Sequence, residues 1–176
     1  SAILCSGYIW QPPGNAYNVL DDGLRSAVIN GCAAGRLMTV AGRFYSHQYK
    51  NYYKNFVADI KAQGICVEAF YAPRKNWHAK VAIRLSNNRP IAALVGSSNL
   101  TRPAYGLNRN WNYEADVLIW SSQGAQPSYY YDDGIDMPLG KLEAVLDPEV
   151  RQPQEEEQLR GIYEDVMSAK LESFEL

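Results

Sequence analysis

The chain has 176 residues, 47% of them hydrophobic, and a formal net charge of −2. That supplies one globular domain with a substantial core and too little chain for a second, so residues 1–176 are expected to form a single domain. No run of about 18 apolar residues occurs, so no helical membrane span is expected, and glycine and proline are too sparse for a disordered chain.

Ser1–Ile9 is predicted to be a first strand. The first ten residues lack a basic segment followed by a long apolar stretch, and they are not expected to be a secretory signal. A helix then starts at Asn15 or Asp21, because Leu20, Leu24, Ala27 and Val28 recur at helical spacing, and Gly31 or Gly35 can end it. Leu37–Ala41 is a short buried strand. Tyr45, Tyr49, Tyr52, Tyr53, Phe56 and Ile60 form a helical stripe that stops near Gly64. Plain core packing explains that stripe, and it leaves Lys50, Lys54 and Lys61 outward as a weakly basic face. Ile65–Phe70 is the next strand. Strand, helix, strand, helix, strand implies crossover connections and a parallel sheet.

After Pro73 the rhythm changes. Val81–Leu85 and Ile91–Val95 flank the polar turn 86–90, which predicts a hairpin. Ala115–Trp120 is a further strand. The fold class is therefore α/β, a mixed sheet that starts parallel and continues through an antiparallel hairpin, flanked by helices. Residues 121–140 are rich in Gly, Pro, Ser and Tyr and are expected to be a long loop. Residues 154–171 form a last, acidic, amphipathic helix, with Leu159, Ile162, Tyr163, Val166 and Met167 as its apolar face. Glu155, Glu156 and Glu157 suit its first turn. Cys5, Cys32 and Cys66 match neither a metal site nor a disulfide framework. They are expected to be buried free thiols in a reducing, cytoplasmic compartment.

Three motifs fall around the hairpin: His78-Ala79-Lys80 opens its first strand, Gly96-Ser97-Ser98-Asn99 follows its second, and Asn112-Tyr113-Glu114 precedes the next. Residues two apart in a strand share a face, so His78 projects with Lys80, and Ser97 with Asn99 if the strand persists that far. The hairpin carries the second motif back beside the first. These residue types suit phosphoryl transfer. An imidazole is nucleophilic near neutral pH. A lysine ammonium and an asparagine amide donate hydrogen bonds to phosphate oxygens as charge builds there. A carboxylate, here Glu114, can fix the imidazole's tautomer. Each residue also has a plainer role open to it: a core histidine for His78, a solvated strand lysine for Lys80, a helix cap for Asn99 or Ser98, and a surface ion pair for Glu114.

These motifs, H-x-K at 78–80, GSSNLT at 96–101 and N-x-E at 112–114, resemble the signature of the phospholipase D superfamily, in particular its compact nuclease and restriction-endonuclease-like branch. The resemblance is close over about residues 78–120 and loose over 1–77. It implies a phospholipase D/nuclease-like fold and a phosphodiester hydrolase that needs no metal and no cofactor. One histidine attacks phosphorus to form a phosphohistidine. A second protonates the leaving oxygen and then activates water. By that resemblance His78 is nucleophile or acid/base, Lys80 and Asn99 bind phosphate, Ser97 supports the site and Glu114 orients His78. Many members carry an Asp five residues after the Lys, where this chain has Leu85. That departure shifts the subgroup more than it threatens activity.

The second histidine is missing from the motif, because only His47 remains and it lies outside any H-x-K. Single-motif members complete the site by dimerising, so a homodimer with one composite site is expected. His47 itself is expected in a loop after a parallel strand, where crevices form. Arg74, Lys75, Trp77, Arg102 and Arg109, with Ser98, are the candidates for contacts to substrate. Residues 1–112 carry a formal charge of +9 and residues 113–176 carry −11. That separation suits a polyanion on one part, which favours DNA and no membrane. Two other functions stay open: hydrolysis of lipid or small phosphodiesters, and a non-catalytic nucleic-acid-binding module. The acidic final helix is a solvated face; alternatively its charge, or the 121–140 loop with Asp132, Asp133 and Asp136, shields the cleft until DNA displaces it.

Overall fold

The structure is a computed structural model that describes residues 1–7, 23–32, 35–43, 47–74, 80–97, 116–121 and 151–175. Its elements in chain order are β1 (Ala2–Ser6), α1 (Gly23–Cys32), β2 (Arg36–Ala41), α2 (His47–Ala62), β3 (Cys66–Tyr71), β4 (Lys80–Ser86), β5 (Arg89–Gly96), β6 (Asp116–Trp120), α3 (Arg151–Met167) and β7 (Glu172–Ser173). They form a seven-stranded sheet in the order β6-β5-β4-β1-β2-β3-β7. β1, β2 and β3 are parallel, whereas β4, β5, β6 and β7 join by antiparallel pairing. The α/β mixed sheet expected from the sequence is present.

Alternation along the strands divides the apolar residues into two cores, one on each face. On one face α2 packs Tyr49, Tyr53, Phe56, Val57 and Ile60 against Leu37 and Ala41 of β2 and Val67 and Ala69 of β3, with Val28 and Ile29 of α1 alongside. On the other face α3 lays Leu159 and Val166 over Ile3, Cys5, Val40, Val81, Ile83 and Ala93. Tyr53 is fully buried, and its hydroxyl lies 2.9 Å from the Thr39 carbonyl and 2.8 Å from the Phe70 carbonyl, donating to that pair. It satisfies its polar tip by tying α2 to both strands beneath it.

Turn chemistry sets the boundaries. The hairpin turn is tighter than its polar sequence suggests: Ser86, Arg89 and Pro90 belong to the strands, and only Asn87 (φ 49°) and Asn88 (φ 63°) turn. Two successive left-handed residues make the primed two-residue turn that matches strand twist, and asparagine tolerates that conformation. A register shift between Arg84 and Leu85 lets Pro90 sit in an interior strand. Gly64 (φ 80°) ends α2. A Cβ at Gly35 would lie 2.7 Å from the Ser1 Oγ and 3.0 Å from the Ser1 backbone nitrogen, so Ser1 would have to give way.

Several expectations need correction. His47 is not in a loop; it is the first residue of α2. The final helix runs Arg151–Met167 rather than 154–171, so Glu155–Glu157 fall after its first turn, and Met167 is 49% exposed rather than part of the apolar face. Chain past that helix forms β7, which pairs Phe70 with Ser173 and Tyr71 with Glu172, and Phe174 inserts beside Tyr53 with ring centroids 4.9 Å apart. Cys5 and Cys32 are buried free thiols, but Cys66 is exposed. The expected 121–140 loop lies outside the described residues beyond Ser121, which is buried.

Candidate functional site

One edge of the sheet collects the carboxyl ends of β1, β2, β3 and β5 and the amino ends of β4 and β6. This follows from the registers. Lys80, the first residue of β4, opposes Gly96, the last of β5, and Gly96 opposes Asp116, the first of β6. Ser6 ends β1 opposite Ala41, which opposes Tyr71. Because Cys5 pairs with Val81, one further step sets Ser6 beside Lys80. A single transverse row therefore reads Asp116, Gly96, Lys80, Ser6, Ala41 and Tyr71. Neighbouring strands are about 4.8 Å apart, so Lys80 and Asp116 flank a side-chain-free glycine at a backbone separation of about 10 Å.

The row also has a side. Val81 and Ile83 belong to the core beneath α3, so Lys80, alternating with them, shares the face that α2 covers. Lys80 is half-buried and Ser6 is buried at 1% exposure. Tyr71 donates its hydroxyl to the Glu172 carboxylate, a bond that pushes the phenol's pKa up.

Of the residues expected to carry function, four are described. Lys80 lies in the row. Ser97 is exposed in a bend next to Gly96, so β5 stops before the alternation that was to pair Ser97 with Asn99. His47 opens α2, the helix that follows β2, and is exposed. Arg74 is exposed in the turn after β3. All four lie at the same edge of the sheet. His78, Asn99, Glu114, Ser98, Lys75, Trp77, Arg102 and Arg109 lie outside the described residues. Their segments are bounded by described residues that meet at this edge: Arg74 and Lys80 bound 75–79, and Ser97 and Asp116 bound 98–115.

Sequence reasoning missed three residues of the edge: Ser6, Asp116 and Arg43, which is exposed just past β2. Asp116 was within reach of it, standing two residues beyond Glu114 at the head of the same strand. Ser6 was not, since nothing in an apolar strand's last residue announces which strand lies beside it. Among the described residues no group of His, Cys, Asp and Glu could hold a metal ion, and no helix is long and apolar enough to cross a membrane.

Compared with protein-family models, curated proteins and solved structures, the chain finds no match.

Proposed function

We propose that this protein is a phosphodiesterase of the phospholipase D type, its sheet a compact version of that fold, and that it cleaves DNA without a metal through a phosphohistidine. The observation that carries the reading is the hairpin register. Lys80 of the H-x-K motif is paired with Gly96 of the GSSN motif across one hairpin, which sets both motifs on one row with Asp116, two residues after Glu114. An edge at the carboxyl ends of parallel strands is where open α/β sheets bind ligands.

In this reading the His78 imidazole attacks phosphorus, and the bond from phosphorus to the leaving oxygen breaks as a second imidazole gives that oxygen its proton. Water then attacks the phosphohistidine, giving its proton back to the second imidazole and freeing His78. Lys80 and Asn99 donate hydrogen bonds to the phosphate oxygens, whose charge grows in the transition state, and Glu114 holds the His78 tautomer. The second imidazole is supplied by another copy of the chain across a two-fold axis.

Plasmid cleavage in excess EDTA tests the reading. The wild-type chain is expected to cleave, His78→Ala to be inactive, and Lys80→Ala to lose about 100- to 1,000-fold in rate, the usual cost of a transition-state donor. Cleavage strictly dependent on Mg²⁺ would overturn the reading. DNA binding without turnover between about pH 5 and 8 would assign a binding module instead, and turnover of phosphatidylcholine alone a lipid hydrolase.

A further inference from the structure

The outward side of α2 carries a track of three lysines that starts at His47. His47, Lys50, Lys54 and Lys61 are all exposed. At about 100° per residue these four fall within an arc of about 60°. At 1.5 Å per residue the line from His47 to Lys61 is about 21 Å long. The helix's one carboxylate, Asp59, falls outside that arc, and the positions beside the track are Ala58, Asn51 and Ala62 on its exposed side and the buried Val57 on the other. The track begins at the sheet edge that holds Lys80, Arg43 and Arg74, and it lies on the sheet face that Lys80 shares. The opposite face is covered by α3, which carries five carboxylates against two arginines. Among the described residues the two helices that cover the sheet thus differ in charge, α2 basic and α3 acidic.

We infer that the outer face of α2 is a track for the sugar–phosphate backbone of nucleic acid, holding the strand that flanks the phosphate cleaved at the sheet edge. The inference rests on the phosphodiesterase reading for its direction, since the track leads away from that edge. Its length of about 21 Å spans about six base-pair steps along a duplex axis, at about 3.4 Å of rise each. Point charges on flexible stems, with only small residues beside them on the exposed side, suit a backbone and not base readout. An anionic membrane fits less well, because a surface-bound helix inserts its apolar face into lipid, and the apolar face of α2 is committed to the core.

The test is DNA binding against salt concentration, by fluorescence anisotropy with a duplex of random sequence. Lys54→Gln/Lys61→Gln is the variant of choice, since Lys50 also lies 6.0 Å from the Phe174 ring centroid and serves packing. Removing one lysine that neutralises a phosphate lowers the log–log salt slope by about 0.9, so the double variant is expected to lower it by about 1.8 and to weaken binding at least several-fold near 100 mM salt. Arg160→Gln, an exposed change on α3, is the control and leaves the slope unchanged. An unaltered slope in the double variant overturns the track, and His78-dependent cleavage then leaves the enzymatic reading standing. A lowered slope without any cleavage keeps the track and overturns the enzyme. Binding to phosphatidylserine vesicles with no affinity for DNA overturns both the track and its nucleic-acid partner.

Discussion

Lys80 is the residue at which the sequence motif and the fold meet. Its ammonium rises from the first position of a strand whose next residue, Val81, is committed to the core beneath α3. The residue therefore cannot rotate its strand away from the edge without unpacking that core. The cysteines show the same coupling between position and chemistry. Burial pushes the Cys5 thiol from its ordinary value of 9.0 up to about 12, whereas Cys66 is exposed on β3. A thiol whose pKa is raised by folding contributes stability that is fully present below about pH 9. That contribution is lost as pH climbs toward about 12, because the unfolded chain gives up the proton first. Alkylation at pH 8 with iodoacetamide is expected to modify Cys66 in the native protein and to spare Cys5 until denaturant is added, as read by peptide mass spectrometry. Modification of Cys5 at the rate of Cys66 would contradict the burial.

At the scale of elements, the β4–β5 hairpin positions the candidate site, because its register decides what opposes Lys80. Replacing Asn87 and Asn88 together by valine forces two β-branched residues into the left-handed region, at about 1–2 kcal/mol each. Urea unfolding is expected to show a loss of about 2–4 kcal/mol, and activity should fall further than the unfolded fraction explains because the register of Lys80 with Gly96 is loosened. Unchanged stability would mean that the turn does not set the register.

The elements themselves were largely legible: periodicity placed α2 and the hairpin, and Gly64 marked a real helix end. What escaped was decided by tertiary context. β7 has two residues and no pattern of its own. It exists because Phe174 fills the space between Tyr53 and Tyr71. His47 was read as loop because it follows a strand and carries no apolar signal of its own, yet α2 starts at it. The acidic helix has a second side that bears on any test of its role, because its apolar residues are core. Leu159 is at 0% exposure within the core of the face opposite Lys80. Truncation of residues 153–176 would therefore remove core, costing several kcal/mol, and would not simply unmask a cleft.

For the whole molecule, the sheet acts as a divider. One face carries α2, with its lysines outward and Lys80 at its edge; the other carries α3 with its carboxylates. With the nucleic-acid partner proposed above, such an arrangement would orient the polyanion before contact and raise its encounter rate at low salt. The motifs were readable in sequence because the chemistry proposed for them, phosphoryl transfer, restricts the residue types that serve it. The transverse row was not, because β1 is inserted between β4 and β2 and no local signal encodes that neighbour. Ser6 and Asp116 joined the edge only when strand order was known.

The proposed chemistry depends most on His78 becoming covalently linked to phosphorus. Wild-type protein mixed with a 5′-labelled and, separately, a 3′-labelled oligonucleotide, quenched in alkali within a single turnover and digested with trypsin, reads this directly by mass spectrometry. The predicted result is an acid-labile, base-stable adduct of one DNA fragment on the tryptic peptide 76–80, formed in the presence of EDTA and missing in His78→Ala. Cleaved DNA with no adduct at any time, or an adduct on a different residue, would contradict it.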